Sequence, residues 1–270
     1  MQDSTKDSSP PNENVDAALL SGPGDVPPFR VHRPHGGSRF VLVGDHAGQA
    51  VPSSLAGLGL LQTELDRHIG WDIGVAGLAE ALSTRLDAIA IVQTYSRLVI
   101  DCNRPLTAPD SIAPISDGTP IPGNQQLTEQ DAQARAHAIF TPYHQRIAQE
   151  LDARDRTNPI LISLHSFTPV FREHVRPWHV GVLYQRDARL AHALRDALRG
   201  EEGLVVGDNE PYDVSDQTDY TIPVHGEQRG LLHVGLEVRQ DLVQHGEGQH
   251  VWAERLARLL TASVPHALPG

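Results

Sequence analysis

The sequence predicts a three-layer α/β fold built on a mostly parallel sheet, and three observations carry that expectation. Apolar runs such as Phe40-Val41-Leu42-Val43 and Ile160-Leu161-Ile162 are nearly continuous rather than alternating, the pattern of strands covered on both faces. They alternate with segments of helical periodicity, the order that βα units produce. Several end abruptly in charged residues, and ligand sites in open α/β sheets lie beyond the carboxyl ends of strands.

Taken in order, residues 1–30 are rich in Ser, Pro, Asp, Asn and Gly and are expected to form a disordered tail, with one domain over 31–270. Phe40–Val43 is a strand stopped by Gly44-Asp45-His46. Thr63–Leu86 carries Ile69, Ile73, Leu78, Leu82 and Leu86 at helical spacing, with Gly70 and Gly74 positioned to break its first part. Ala88–Val92 is a second strand, and Arg97–Ile100 a further one leading to Asp101-Cys102-Asn103-Arg104-Pro105. Leu106–Asn124 is rich in Pro, Gly, Ser and Asp and reads as a functional loop able to close over a ligand. A helical pattern then runs from Thr128 through Arg154, and a strand from Pro159 to Leu164 ends at His165-Ser166. Trp178–Tyr184 is a strand, Asp187–Leu198 a helix and Leu204–Val206 a short strand. Val234-Gly235-Leu236 enters Glu237-Val238-Arg239, and Gln249–Leu260 is the last helix.

Composition narrows the partners. A formal charge of -12 repels phosphate backbones and anionic lipid, and no Lys/Arg cluster offsets it, which argues against nucleic acid and membrane and for a small molecule. The N-terminal stretch lacks the basic start and apolar run of a signal peptide, and nothing approaches the roughly 18 apolar residues of a membrane span. With a single cysteine, Cys102, the chain has no disulfide framework, which fits a reducing, cytoplasmic setting. Cys102 itself reads as a small buried apolar side chain. The oligomeric state is not legible.

Four polar clusters follow or interrupt apolar strands: Asp45-His46, Asp101-Asn103-Arg104, His165-Ser166 and Glu237-Arg239. His46 and His165 are candidate ligands of one zinc ion, since a catalytic zinc takes three protein ligands and leaves one position open. Glu237 stands inside an apolar run, where burial is costly without a partner. It is either a general base or half of an internal salt bridge with Arg239, which strand alternation sends to the same face. Arg97 and Arg104 can offer guanidinium forks to a carboxylate or an oxyanion, or can simply be solvated; Asn103 beside Arg104 adds a second donor. Tyr220-Thr221-Ile222-Pro223-Val224-His225-Gly226 is either a plain loop or the acyl side of a pocket, with Tyr220 or His225 donating to substrate. No Gly-x-Ser-x-Gly elbow, Walker loop or dinucleotide fingerprint is present, and Ser166 beside His165 is no triad.

Together the clusters resemble the N-formylglutamate amidohydrolase family. The resemblance rests on Gly44-Asp45-His46-Ala47-Gly48 with Pro52, Trp71-Asp72-Ile73-Gly74-Val75, Ser96-Arg97-Leu98-Val99-Ile100-Asp101-Cys102-Asn103-Arg104, Leu164-His165-Ser166-Phe167 and Glu237-Val238-Arg239-Gln240-Asp241-Leu242. That family is in turn similar to zinc carboxypeptidases. The resemblance therefore implies a mixed, mostly parallel sheet of that phosphorylase/hydrolase-like kind and hydrolysis of N-formyl-L-glutamate to formate and L-glutamate. It implies His46 and His165 as metal ligands, Asn103 and Arg104 as carboxylate clamp and Glu237 as base; the mechanism expected on that basis sets Arg97 against the oxyanion. Arg239 is carried as a further substrate-binding residue. One position departs: the carboxypeptidase pattern expects an acid at 49, where this chain has Gln49. A neutral amide is a poor zinc ligand, so either Asp72 supplies the third ligand or the metal is bound weakly or not at all; Asp72 is favoured, against the alternative that it is a helix N-terminal carboxylate stabilised by the dipole. Hydrolysis of another N-acyl amino acid or a small peptide, and a non-catalytic binding role, remain as rival functions.

Overall fold

The apolar runs become the strands of one seven-stranded sheet. The computed structural model describes residues 19–268. In chain order its strands are β1 (Phe29–His32), β2 (Phe40–Gly44), β3 (Ile89–Gln93), β4 (Ile115–Ser116), β5 (Thr119–Pro120), β6 (Ile160–Phe167), β7 (Val170–Phe171), β8 (His174–Val175), β9 (Val180–Leu183), β10 (Val206–Asp208) and β11 (Leu232–Arg239). The sheet order is β1-β3-β2-β6-β11-β9-β10, and β4/β5 and β7/β8 form separate hairpins. Strands β3, β2, β6 and β11 are parallel. Strand β1 is antiparallel to β3, β9 is antiparallel to β11, and β10 runs with β9. The sheet is mixed with a parallel centre, as expected.

The helices are α1 (Gln62–Leu65), α2 (Val75–Leu86), α3 (Glu129–Arg135), α4 (Thr141–Ala153), α5 (Arg189–Arg199) and α6 (Gly246–Ala267). Side-chain alternation along the strands decides which layer each residue meets. Leu42, Ile162, Leu164, Val234 and Leu236 pack with Leu78 and Leu82 of α2, Leu194 of α5 and Trp252 and Leu256 of α6. Val41, Val43, Ile89, Ile91 and Leu161 pack on the opposite face with Tyr143, Ile147 and Leu151 of α4. Each large side chain so buried contributes roughly 1.5–3 kcal/mol. Toward the carboxyl ends of β6 and β11 the second parity changes character. Ser163, His165, Gly235 and Glu237 occupy it and line a cavity instead of meeting a helix.

Local chemistry explains where the elements start and stop. Thr128 caps α3 reciprocally with Asp131: its Oγ1 accepts from Asp131 N at 3.1 Å, and its N donates to Asp131 Oδ2 at 3.1 Å. A π-helical turn, Ala136–Phe140, then carries the chain from α3 to α4. The helical pattern of Thr63–Leu86 divides into α1 and α2, with turns between. Gly74 ends that interruption: its φ is 88°, and a Cβ there would lie 2.2 Å from Val243 O.

Three expectations are corrected. Residues 1–18 of the expected tail lie outside the described residues, but Leu19 is buried and Phe29–His32 pairs with β3, so the ordered chain starts before residue 31. Leu98–Ile100 is buried but turned, not a strand. Ser96 holds it so, accepting from Leu98 N at 3.2 Å while Val99 N donates to Ser96 O at 2.9 Å, and such local bonds compete with a sheet ladder. None of residues 106–124 lines the cavity; Asp117, in that segment, lies against Arg67 and His68. Among the described residues no helix is long and apolar enough to cross a membrane.

Candidate active site

A cavity of about 390 Å³ opens at the carboxyl ends of β2, β6 and β11. Seven of the residues singled out from the sequence line it: His46, Asp72, Arg97, Asn103, Arg104, His165 and Glu237. Topology brings them together. His46 follows β2, and His165 and Glu237 stand opposite each other in the register of parallel β6 and β11. Asp72 is tied to the first cluster by its N–H, which donates to His46 O at 2.8 Å.

Both histidines turn the same nitrogen inward. His46 Nε2 bonds Asp101 Oδ1 at 2.6 Å, leaving Nδ1 buried, without a hydrogen bond and 3.4 Å from Asp72 Oδ2. His165 Nε2 lies 3.0 Å from Ser163 Oγ and 3.3 Å from Asp45 Oδ2, and its Nδ1 lies 3.0 Å from Asp72 Oδ2. A carboxylate behind each ring nitrogen, with the other nitrogen facing a shared point, is the arrangement that orients metal-binding histidines. Asp72, His46 and His165 offer ligand atoms within 4.8 Å of one another. The two separations of 3.0 and 3.4 Å match the roughly 3.3 Å edge of a tetrahedron with bonds of about 2.0 Å. The three residues fit a divalent cation.

The charges around this point are fixed by further partners. Asp45 is fully buried; its Oδ1 accepts from Tyr143 OH at 2.9 Å and from Thr221 Oγ1 at 2.8 Å. Burial pushes its pKa up, but the hydrogen bond and charge of His165 prevail and hold it below 3.8. Asp101 is likewise pushed up by burial and pulled well below 3.8 by Arg97 and His46. Arg97 donates to Asp101 Oδ2 from Nε at 3.0 Å and Nη2 at 2.7 Å, and Nη1 reaches Asp72 Oδ1 at 3.5 Å. Glu237 is different. Its Oε2 is buried with no hydrogen-bond partner, and burial lifts its carboxyl to about 7 against the pull of His165. A carboxylate poised near neutrality beside a cation site is equipped to take and return a proton.

These contacts bear on several of the sequence readings. Asp72 makes no capping bond to α2, whose N-cap is Gly74. Arg239 pairs with Asp241 at 2.8 Å, not with Glu237, and lies outside the cavity lining. Tyr220 and His225 also lie outside it: Tyr220 packs edge-on to Phe140, and His225 Nε2 contacts His144 Nδ1 at 3.0 Å. Gln49 is absent from the lining, and Asp72 takes the place facing both histidines. Asn103 and Arg104 line the cavity but carry structural bonds. Asn103 Oδ1 accepts from Tyr220 N and Thr221 N at 3.1 and 3.0 Å. Arg104 donates to Asp110 Oδ2 at 3.1 Å and to Thr218 O.

Sequence reasoning passed over Asp45 and Asp101 as individual site residues, though both stand in the quoted clusters. The available signal was a carboxylate next to a strand end within an apolar context, which demands a partner. Ser163, Tyr143 and Thr221 left no such mark.

The chain matches the sequence pattern of the N-formylglutamate amidohydrolase family over residues 38–244. It is similar to the crystal structure of a gene product from Agrobacterium tumefaciens, with 32% identity, a TM-score of 0.86 and coverage of 89% of this chain and 96% of that one. A structure of N-formylglutamate amidohydrolase from Ralstonia eutropha shares the fold at 20% identity and a TM-score of 0.66, covering 89% of this chain and 98% of that one. No curated protein matches the sequence.

Proposed function

Because the chain belongs to the N-formylglutamate amidohydrolase family, we propose that it hydrolyses the amide bond of a small N-acyl amino acid, N-formyl-L-glutamate first among them, with a bound divalent cation. The observation that carries this is the convergence of His46 Nδ1 and His165 Nδ1 on Asp72 beside the unpartnered Glu237 Oε2. A cavity of about 390 Å³ is at the small end of ligand sites, which suits a substrate of this size.

His46, Asp72 and His165 would hold the cation, zinc in this reading, which supplies Lewis-acid polarisation of the carbonyl and eases deprotonation of water. Glu237 Oε2 accepts a proton from the water that attacks the formyl carbon. It returns that proton to the amide nitrogen as the C–N bond breaks, giving formate and L-glutamate. Arg97, held by Asp101, offers a guanidinium to the developing oxyanion. Arg104, with the remaining N–H of Asn103, orients the substrate's α-carboxylate.

The test is formate release from N-formyl-L-glutamate by the purified protein as prepared, after chelation and after zinc is restored. Activity that is lost and regained supports the reading. Turnover untouched by complete metal removal sinks metal dependence, and release of acetate from N-acetyl amino acids in preference to formate moves the assignment to a larger acyl group.

A further inference from the structure

The mouth of the cavity carries a hydroxyl that the reaction as described leaves unused. Strand β10 stops at Asp208, and Asn209 turns the chain back across β9. The φ of Asn209 is 50°, a left-handed value that Asn tolerates; its N–H donates to Val182 O at 3.0 Å and its Oδ1 accepts from Tyr184 N at 2.9 Å. The segment then runs over Gly181, where a Cβ would lie 1.9 Å from Glu210 O and 3.6 Å from the Cβ of Glu237. Gly181 stands opposite Glu237 in the antiparallel register of β9 and β11. With no side chain there, residues 210–212 come close beside Glu237, and Tyr212 lines the cavity together with Glu237, Arg97, His46, Asp72 and His165.

Tyr212 is held by its neighbours. The Arg176 guanidinium lies 5.0 Å from its ring centroid, and Arg176 Nη1 donates to the Tyr212 hydroxyl oxygen at 3.0 Å. Arg176 is itself fixed over Phe171 at 4.8 Å and by Thr168 Oγ1 at 3.4 Å. The phenolic oxygen therefore accepts one bond, while among the described residues its own hydrogen has no acceptor. Tyr212 is 45% exposed, which leaves that hydrogen open to a ligand. Partial burial and the charge of Glu237 raise the phenol above 10 against the pull of Arg176, so it stays a protonated donor across the neutral range. A guanidinium donating to its oxygen polarises the O–H and makes it a stronger donor.

We propose that Tyr212 is a further catalytic residue, donating its O–H to the oxyanion that forms when water attacks the acyl carbon, and that Arg176 is its positioning residue. This rests on the reading of the cavity as an amidohydrolase site. No proton changes hands in the contact: the phenol keeps its hydrogen, and the bond strengthens as the carbonyl oxygen gains charge, so it favours the transition state over the bound substrate. Arg97, within electrostatic reach of the same phenol, supplies charge, and Tyr212 supplies a neutral, directional donor.

Tyr212→Phe keeps the ring beneath Arg176 and removes only the hydroxyl. At saturating zinc it is expected to lower kcat and kcat/KM for N-formyl-L-glutamate together by about 100-fold with KM unchanged, the scale of one lost oxyanion donor and the pattern of a contact made only in the transition state. Arg176→Met should lower kcat less, and Tyr212→Phe/Arg176→Met no further than Tyr212→Phe alone, because Arg176 acts through the hydroxyl. A tetrahedral ligand reads the same contact without turnover. 2-(Phosphinomethyl)pentanedioate, whose H–PO2 group imitates the attacked formyl carbon, should bind Tyr212→Phe about 100-fold more weakly than the wild type in calorimetric titration, while L-glutamate binds both alike. A raised KM with kcat kept makes Tyr212 a substrate clamp and overturns the proposal. Undiminished turnover, equal affinity for the phosphinate, or losses that add in the double variant overturn it too. Formate release by the wild type separates these failures from that of the amidohydrolase reading: none at all fails the reading, and this proposal with it.

Discussion

Asp101 joins two working groups through one carboxylate, with Oδ1 on His46 Nε2 at 2.6 Å and Oδ2 on Arg97 at 2.7 and 3.0 Å. Removing its charge while keeping its shape should disturb both, since the partner behind a metal-binding histidine sets that ring's tautomer and basicity. Asp101→Asn is expected to weaken zinc binding by about 10–100-fold and to lower formate release even at saturating zinc, because Arg97 loses its anchor. Competition against a chromophoric chelator, read beside saturating-zinc kinetics, checks both effects. Unchanged affinity would show that Asp101 does not orient His46. At this scale the sequence was legible where a polar residue interrupts an apolar run. His46, His165 and Glu237 announced themselves so, and the cavity gathers them. Tyr220, His225 and Arg239 were drawn in by nearness in sequence, and nearness along a turn says nothing about direction. Their side chains go to Phe140, His144 and Asp241 instead.

Elements place these residues through parity and through turns. Strand β11 reads Leu-His-Val-Gly-Leu-Glu-Val-Arg, a period of two that puts Glu237 opposite its apolar neighbours. The strand and its polar face were therefore both visible in the sequence. The turn at Leu98–Ile100 was not, because three apolar residues suit either a strand or a buried turn and only the contacts of Ser96 decide. Strand β1 was hidden for another reason: its burial is partial, it lies at the sheet edge, and it follows a Pro-rich stretch that dominates the composition. Asp72 depends on a turn that can be tested. Gly74 combines a φ of 88° with a carbonyl, Val243 O, that would stand 2.2 Å from any Cβ, so a methyl group there meets both backbone strain and a clash. Gly74→Ala should cost about 2–4 kcal/mol in urea unfolding and weaken zinc binding by shifting Asp72. A stability within about 0.5 kcal/mol of wild type would mean that the turn yields freely.

For the whole molecule, two buried histidines behind the site couple folding to pH. His144 Nε2 donates to Cys102 O at 2.8 Å, so His144 Nδ1 is the acceptor for His225 Nε2–H at 3.0 Å. The pair is satisfied only when both rings are neutral, and His225 Nδ1 has no partner at all. Burial accordingly pulls His144 down to about 4 and His225 down to about 3, from 6.5. Because both folded values lie below the unfolded one, the unfolded chain binds the protons first. Stability is thus fully present above pH 6.5 and falls as pH drops toward 4. Each ring contributes a loss of about 2 kcal/mol at pH 5, from about 1.4 kcal/mol per unit of pKa. Asp45, Asp72 and Asp101 titrate lower still, and Glu237, lifted to about 7, shifts stability in the opposite direction as pH falls and does so equally in wild type and in a His225 variant. His225→Gln keeps a donor for His144 Nδ1 but cannot titrate. Between pH 7.5 and pH 5 its unfolding free energy should therefore fall less than that of the wild type by about 2 kcal/mol, while KM for N-formyl-L-glutamate stays unchanged because His225 is outside the cavity lining. Parallel pH profiles for the two proteins would show that the His144–His225 pair does not control acid stability, and a raised KM would return His225 to the substrate.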